Sequence, residues 1–182
     1  MGQKERIYFI TSTALMTCVM CILGPMSLPI GPVPISLTNL VIYFTMYVLD
    51  TKRSLAAYLV YLLIGCAGLP VFSGYTGGLP KLAGPTGGYL VGFIPMLLVS
   101  GAVIEKHWKN PVICIITMEA ATWICYVMGT WWLSKSTGMD FHAALAAGVI
   151  PFILVDFAKI MIAGNLGPVI RRSLEKAQVV SR

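Results

Sequence analysis

Residues 151–170 read PFILVDFAKIMIAGNLGPVI, and this stretch decides the fold. Of its 20 residues only Asp156 and Lys159 are ionisable. A helix rises about 1.5 Å per residue, so about 20 apolar residues cross the hydrocarbon core of a bilayer. Pro151 suits the first turn of such a helix. Runs of the same kind recur, and with 151–170 they predict six spans, the others at 7–24, 35–49, 54–66, 89–104 and 111–133. The spans at 35–49 and 54–66 are short for a full crossing, which predicts a cavity beside them or a locally thinned bilayer. Residues 50–53 read as the turn between those two, and Asp140 as the cap of a short helix over 141–148.

Composition agrees. Of 182 residues, 57% are hydrophobic and 11% charged, about half the charged share of a soluble domain. The class is all-α, a polytopic membrane protein forming one membrane-embedded domain over 1–182. No polar stretch is long enough for a soluble catalytic or ATPase domain, and the chain is too short for a transporter of two repeated halves. The first span has a basic head like a signal peptide, but residues 24–29, GPMSLP, do not make a cleavage site. A net charge of +6 is read as basic loops meeting the lipid bilayer, not as a nucleic-acid surface.

Lys and Arg set the orientation. Lys4, Arg6, Lys52, Arg53, Lys106, Lys109, Arg171, Arg172, Lys176 and Arg182 fall on one side of the predicted membrane, against Lys81 and Lys135 on the other. The positive-inside rule then puts both termini in the cytoplasm, in the cell membrane, and the 68–88 loop outside. That loop, rich in Gly and Pro, is too apolar for a simple linker and too broken for a regular helix; a structureless loop of this length is usually functional.

No catalytic or metal set is expected. Five cysteines lie in apolar segments, so no disulfide framework is predicted, and Cys18-x-x-Cys21 reads as helix packing. The two histidines, His107 and His142, fall on opposite faces, which argues against a zinc or haem cofactor. The order of GPTGGY at 84–89 is not that of a phosphate loop. Three ionisable residues fall inside spans: Glu119, Asp156 and Lys159. Each costs about 2.5–3.5 kcal/mol at the bilayer centre on insertion scales, so each needs a reason. For Glu119 that reason is read as a structural hydrogen bond or a cavity-facing position. Asp156 and Lys159, three apart, share a helix face. They can be a self-neutralising structural pair, or a surface for a neutral ligand that offers both N–H and C=O. Phe72, Tyr75 and Tyr89 can wall a pocket or simply pack.

Four segments taken together resemble the BioY family, the biotin-specific substrate-binding (S) components of energy-coupling factor (ECF) transporters: PVPISL at 32–37, YLLIGCAGLPVF at 61–72, GPTGGYLVGF at 84–93 and PFILVDFAK at 151–159. The resemblance runs over about 7–170. It implies a high-affinity biotin-binding subunit that is not an enzyme, with an outward-facing pocket closed by loops 25–34 and 68–88. It also implies Asp156 and Lys159 as biotin contacts through the D-x-x-K. With biotin as ligand, Phe72, Tyr75 and Tyr89 are the aromatics expected around it, and its carboxylate needs a cation or N–H donors, for which Lys81 or the glycine backbone is the candidate. Uptake then needs a coupling transmembrane (T) subunit and ATPase subunits as partners. Where such proteins carry Ala-x-x-x-Ala on the first helix for docking the coupling subunit, this chain has Ala14-x-x-x-Cys18, still two small residues one turn apart. After PVPI, Ser36-Leu37-Thr38 stands in place of Thr-Leu-Gln. The rival readings are a self-sufficient proton-coupled solute carrier using Glu119 and Asp156, and a membrane enzyme acting on lipid.

Overall fold

The computed structural model of the chain describes residues 3–29 and 31–177. Ile30 in the first loop, Arg182 in the charge count and the tail residue Ser181 lie outside the described residues. Eight helices are present among the described residues. They are α1 (Gln3–Leu23), α2 (Thr38–Val48), α3 (Thr51–Cys66), α4 (Leu79–Ala83), α5 (Gly87–His107), α6 (Pro111–Thr137), α7 (Phe141–Gly148) and α8 (Ile150–Lys176). Four stretches are long and apolar enough to cross a membrane: Arg6–Leu23, Gly87–His107, Pro111–Thr137 and Phe141–Lys176.

Three local expectations change. The fold is not purely helical, because β1 (Ser27–Leu28) and β2 (Ile35–Ser36) pair antiparallel between α1 and α2. Asp50 to Arg53 is not a turn. Asp50 caps α3, its side chain accepting from the Arg53 backbone N–H at 2.8 Å and from Arg53 Nε at 2.8 Å, so the helix begins at Thr51. The 68–88 segment is not structureless either. It holds α4 and a tight turn in which Phe72 and Thr76 exchange backbone hydrogen bonds. Gly74 and Tyr75 make that turn with φ of 76° and 56°, a left-handed region that glycine enters freely and tyrosine rarely.

Gly84 of GPTGGY stays in the bend after α4, but Gly87 and Gly88 serve packing rather than a loop. Gly87 and Gly88 open α5, and a Cβ on Gly88 would lie 2.2 Å from Trp132 Cβ on α6. On α6, a Cβ on Gly129 would lie 2.3 Å from the Tyr89 ring. The two helices thus pass at a distance that only missing side chains allow, as small residues do between membrane helices. The centre of the bundle is aromatic: Tyr43, Tyr47, Tyr58, Tyr61 and Phe72 are fully buried. Tyr58 and Tyr61 donate to the carbonyls of Leu90 and Val71 at 2.7 and 3.0 Å, so their hydroxyls are satisfied as buried polar groups must be.

α2 is the element that makes room for a site. Its 11 residues reach about 16 Å, roughly half the hydrocarbon thickness. The rest of its path is the β hairpin and Leu37. Irregular backbone at membrane depth is tolerated where it is buried in protein or lines a cavity, and Ser36, Thr38 and Asn39 do line one.

Candidate functional site

Asp156 and Lys159 lie on the inner face of α8, only 5% and 7% exposed. Their side chains meet at 2.9 Å. Two buried charges this close need further partners to offset desolvation, and the structure supplies them from three elements. Asn39, in the first turn of α2, donates through Nδ2 to Asp156 Oδ1 at 2.7 Å. Lys159 Nζ donates to Asn39 Oδ1 at 2.9 Å and to the Ser36 carbonyl at 2.8 Å. Tyr126 on α6 donates its hydroxyl to Asp156 Oδ2 at 2.8 Å. Behind this cluster Tyr43 and Thr122 share a 2.6 Å hydrogen bond.

The cluster forms part of the wall of a cavity whose empty space, open solvent at its mouth included, is about 630 Å³. Val33, Pro34, Leu90, Phe93 and Phe152 supply apolar walls. Thr86, at the amino end of α5, and Ser73 add hydroxyls. The Thr86 hydroxyl is buried without a hydrogen-bond partner among the described residues. Chemically, a carboxylate that only accepts and an ammonium that only donates stand side by side. That pair suits a neutral ligand carrying N–H next to C=O on an apolar body.

The structure unites some expected residues and separates others. Tyr89 lines the cavity with Asp156 and Lys159, its hydroxyl donating to the Gly148 carbonyl at 3.0 Å. Phe72 does not line it. It is 0% exposed, with its ring edge-on to Tyr61 at 5.6 Å and packed over Gly65. Tyr75 sits on the tip of its turn, 66% exposed, outside the lining. Lys81 lies on α4, also outside the lining, and partial burial holds its ammonium below the ordinary lysine range. Glu119 does not line the cavity, and one of its carboxylate oxygens, Oε2, is buried without a hydrogen-bond partner among the described residues. On α1, Thr13 and Thr17 turn inward, Thr17 donating to the Ala57 carbonyl at 3.1 Å, while Ala14 and Cys18 face outward and are exposed. The four do not form one face.

Asn39 and Tyr126 complete the hydrogen bonding of the charged pair, and sequence reasoning missed both. Asn39 had a signal, as a carboxamide inside an apolar run. Tyr126 had none beyond being one of several aromatics in its span.

Several apolar helices around an internal cavity with a buried donor–acceptor pair define a membrane protein that binds a small polar solute. The chain belongs to the BioY family, whose model matches residues 1–176. It is 35% identical, over 94% of both chains, to the biotin transporter BioY2 of Lactococcus lactis subsp. cremoris. It is 36% identical to the biotin transporter BioY of Thermotoga maritima, over 75% of this chain and 80% of that one. In three dimensions it is similar, with a TM-score of 0.82 and 25% identity over 94% of this chain and 95% of the other, to the crystal structure of the S-component for biotin from an ECF-type ABC transporter.

Proposed function

We propose that this chain is the biotin-binding S component of an ECF-type uptake transporter, a single membrane-embedded domain that captures the vitamin and catalyses no reaction. One observation carries this reading: the Asp156–Lys159 pair, held by Asn39 and Tyr126, lines a largely apolar cavity in a chain of the BioY family. Biotin combines a neutral ureido ring, an apolar thiophane ring and a carboxylate tail. Asp156 accepts from a ureido N–H and Lys159 donates to the ureido carbonyl. Leu90, Phe93 and Phe152 take the thiophane. The carboxylate meets the unpartnered Thr86 hydroxyl at the amino end of α5, where the helix dipole favours an anion. This displaces Lys81 as the carboxylate partner and leaves Phe72 and Tyr75 as supports of the covering loop. Loops 25–34 and 68–88 close the cavity together: Val33, Pro34 and Ser73 line it, and Gly74 N–H donates to the Pro25 carbonyl at 3.0 Å, tying one loop to the other. The test is titration calorimetry of biotin into the purified chain. One site per chain is expected; no binding heat at any temperature, with the protein folded, contradicts the reading.

The membrane arrangement belongs to the same proposal. α1, α2, α3, α5, α6 and α8 make six passes in the cell membrane, with both termini cytoplasmic and the cavity open outward. Partner subunits, a coupling T subunit and ATPases, supply energy. In a variant whose five cysteines are replaced, cysteine at Ser136 is expected to react with an impermeant thiol reagent on intact cells, and cysteine at Lys109 only after lysis. The reverse pattern contradicts the orientation.

A further inference from the structure

Asn39 stands between two groups that leave its amide one orientation. A carboxylate can only accept and an ammonium can only donate, so Nδ2 turns to Asp156 at 2.7 Å and Oδ1 to Lys159 at 2.9 Å. The side chain therefore offers an N–H to Asp156 and a C=O to Lys159. That is the pair of groups, in the same sense, that one edge of a urea or amide ligand offers.

The ammonium has no donor to spare. Its three N–H groups go to the Ser36 carbonyl, Asn39 Oδ1 and Asp156 Oδ1. A ligand carbonyl gains a proton from Lys159 only if one of these acceptors yields. Asp156 yields at the highest cost, since separating the pair strands two charges in a desolvated site. Ser36 is backbone, held in register by the pairing of β2 with β1. Asn39 is a side chain, and its withdrawal frees one Lys159 donor and one Asp156 acceptor site at the same time.

We infer that Asn39 is an internal stand-in for the ligand's urea or amide, displaced bond for bond when the ligand binds. The inference rests on the proposed function and adds to it a specificity-determining residue. Affinity is then the difference between the ligand's two hydrogen bonds and those of Asn39, whose Oδ1 also accepts the Leu40 backbone N–H at 3.1 Å. A ligand with a carbonyl but no neighbouring N–H replaces only half of what it displaces, leaving a buried acceptor less satisfied. The exchange admits neutral ligands with both groups and opposes ligands with one.

The test is Asn39→Ala, with biotin titrated into variant and parent and both melted with and without biotin. Relieved of its competitor, the site is expected to bind biotin about two- to tenfold tighter. The melting temperature without biotin is expected to fall, and the rise on adding biotin to exceed the parent's. Unchanged or weaker binding overturns the inference, because Asn39 would then be a bystander or a direct ligand contact. Asn39→Ser, whose shorter side chain cannot bridge both groups, answers the same question if the alanine variant does not survive purification. Failure of the parent to bind biotin overturns the proposed function, and this inference with it.

Discussion

Lys159→Met is expected to lower biotin affinity at least about hundredfold. The change removes the proposed donor to the ureido carbonyl and leaves Asp156 as a buried carboxylate without its counter-charge. Removing one partner of a buried charge pair costs about 3–5 kcal/mol, and losing a hydrogen bond to a charged group about 1.5–3 kcal/mol. The first figure acts on the fold as well as on binding, so melting must be followed on the same samples. Asp156→Asn is the milder counterpart. Its amide still accepts one N–H but turns a donor toward Tyr126 or Lys159, which already donate to this position. A ten- to hundredfold loss, about 1.4–2.8 kcal/mol, is expected, larger than the loss of fold stability. Parent-like binding in both variants would assign the pair a purely structural role.

Ala14→Trp is expected to stop uptake while sparing binding. Ala14 and Cys18 form an exposed strip of small side chains on the outer face of α1, and nothing on that strip belongs to the cavity. An indole there fills a groove into which another helix can come close. ATP-driven uptake in cells carrying all subunits is expected to fall more than about tenfold by steric exclusion of the coupling subunit. Biotin affinity and melting temperature of the isolated chain should stay within about twofold and a few degrees. Had Ala14 packed inside its own bundle, overpacking would cost about 1–3 kcal/mol and binding and melting would fall together. Such a joint loss would refute the docking role.

The membrane class, most helices and the buried charged pair of the candidate site were legible in the sequence because each rests on a local signal. An apolar run bounded by Asp140 and Pro151 describes the α7–α8 junction almost to the residue. Two charges three apart in such a run mark a candidate site by their solvation cost alone. What was hidden depends on contacts between distant segments. The glycines of GPTGGY look like loop residues until Trp132 is seen against Gly88. Phe72 looks like a pocket aromatic next to a glycine-rich loop, yet Gly65, in the last turn of α3, opens the slot that buries it. Asn39 meets Asp156 across 117 residues, and no spacing rule reaches that far. On α1, helical periodicity groups Thr13, Ala14, Thr17 and Cys18 loosely, but only the position of Ala57 shows which two turn inward.

The most direct measurement is mass spectrometry of the small molecule that stays with the chain when it is purified from cells without added ligand. Biotin is expected, released on denaturation at close to one per chain, and absent from the Lys159→Met variant prepared in parallel. A lipid or a different solute in its place, retained equally by both proteins, would contradict the assignment of this cavity to biotin.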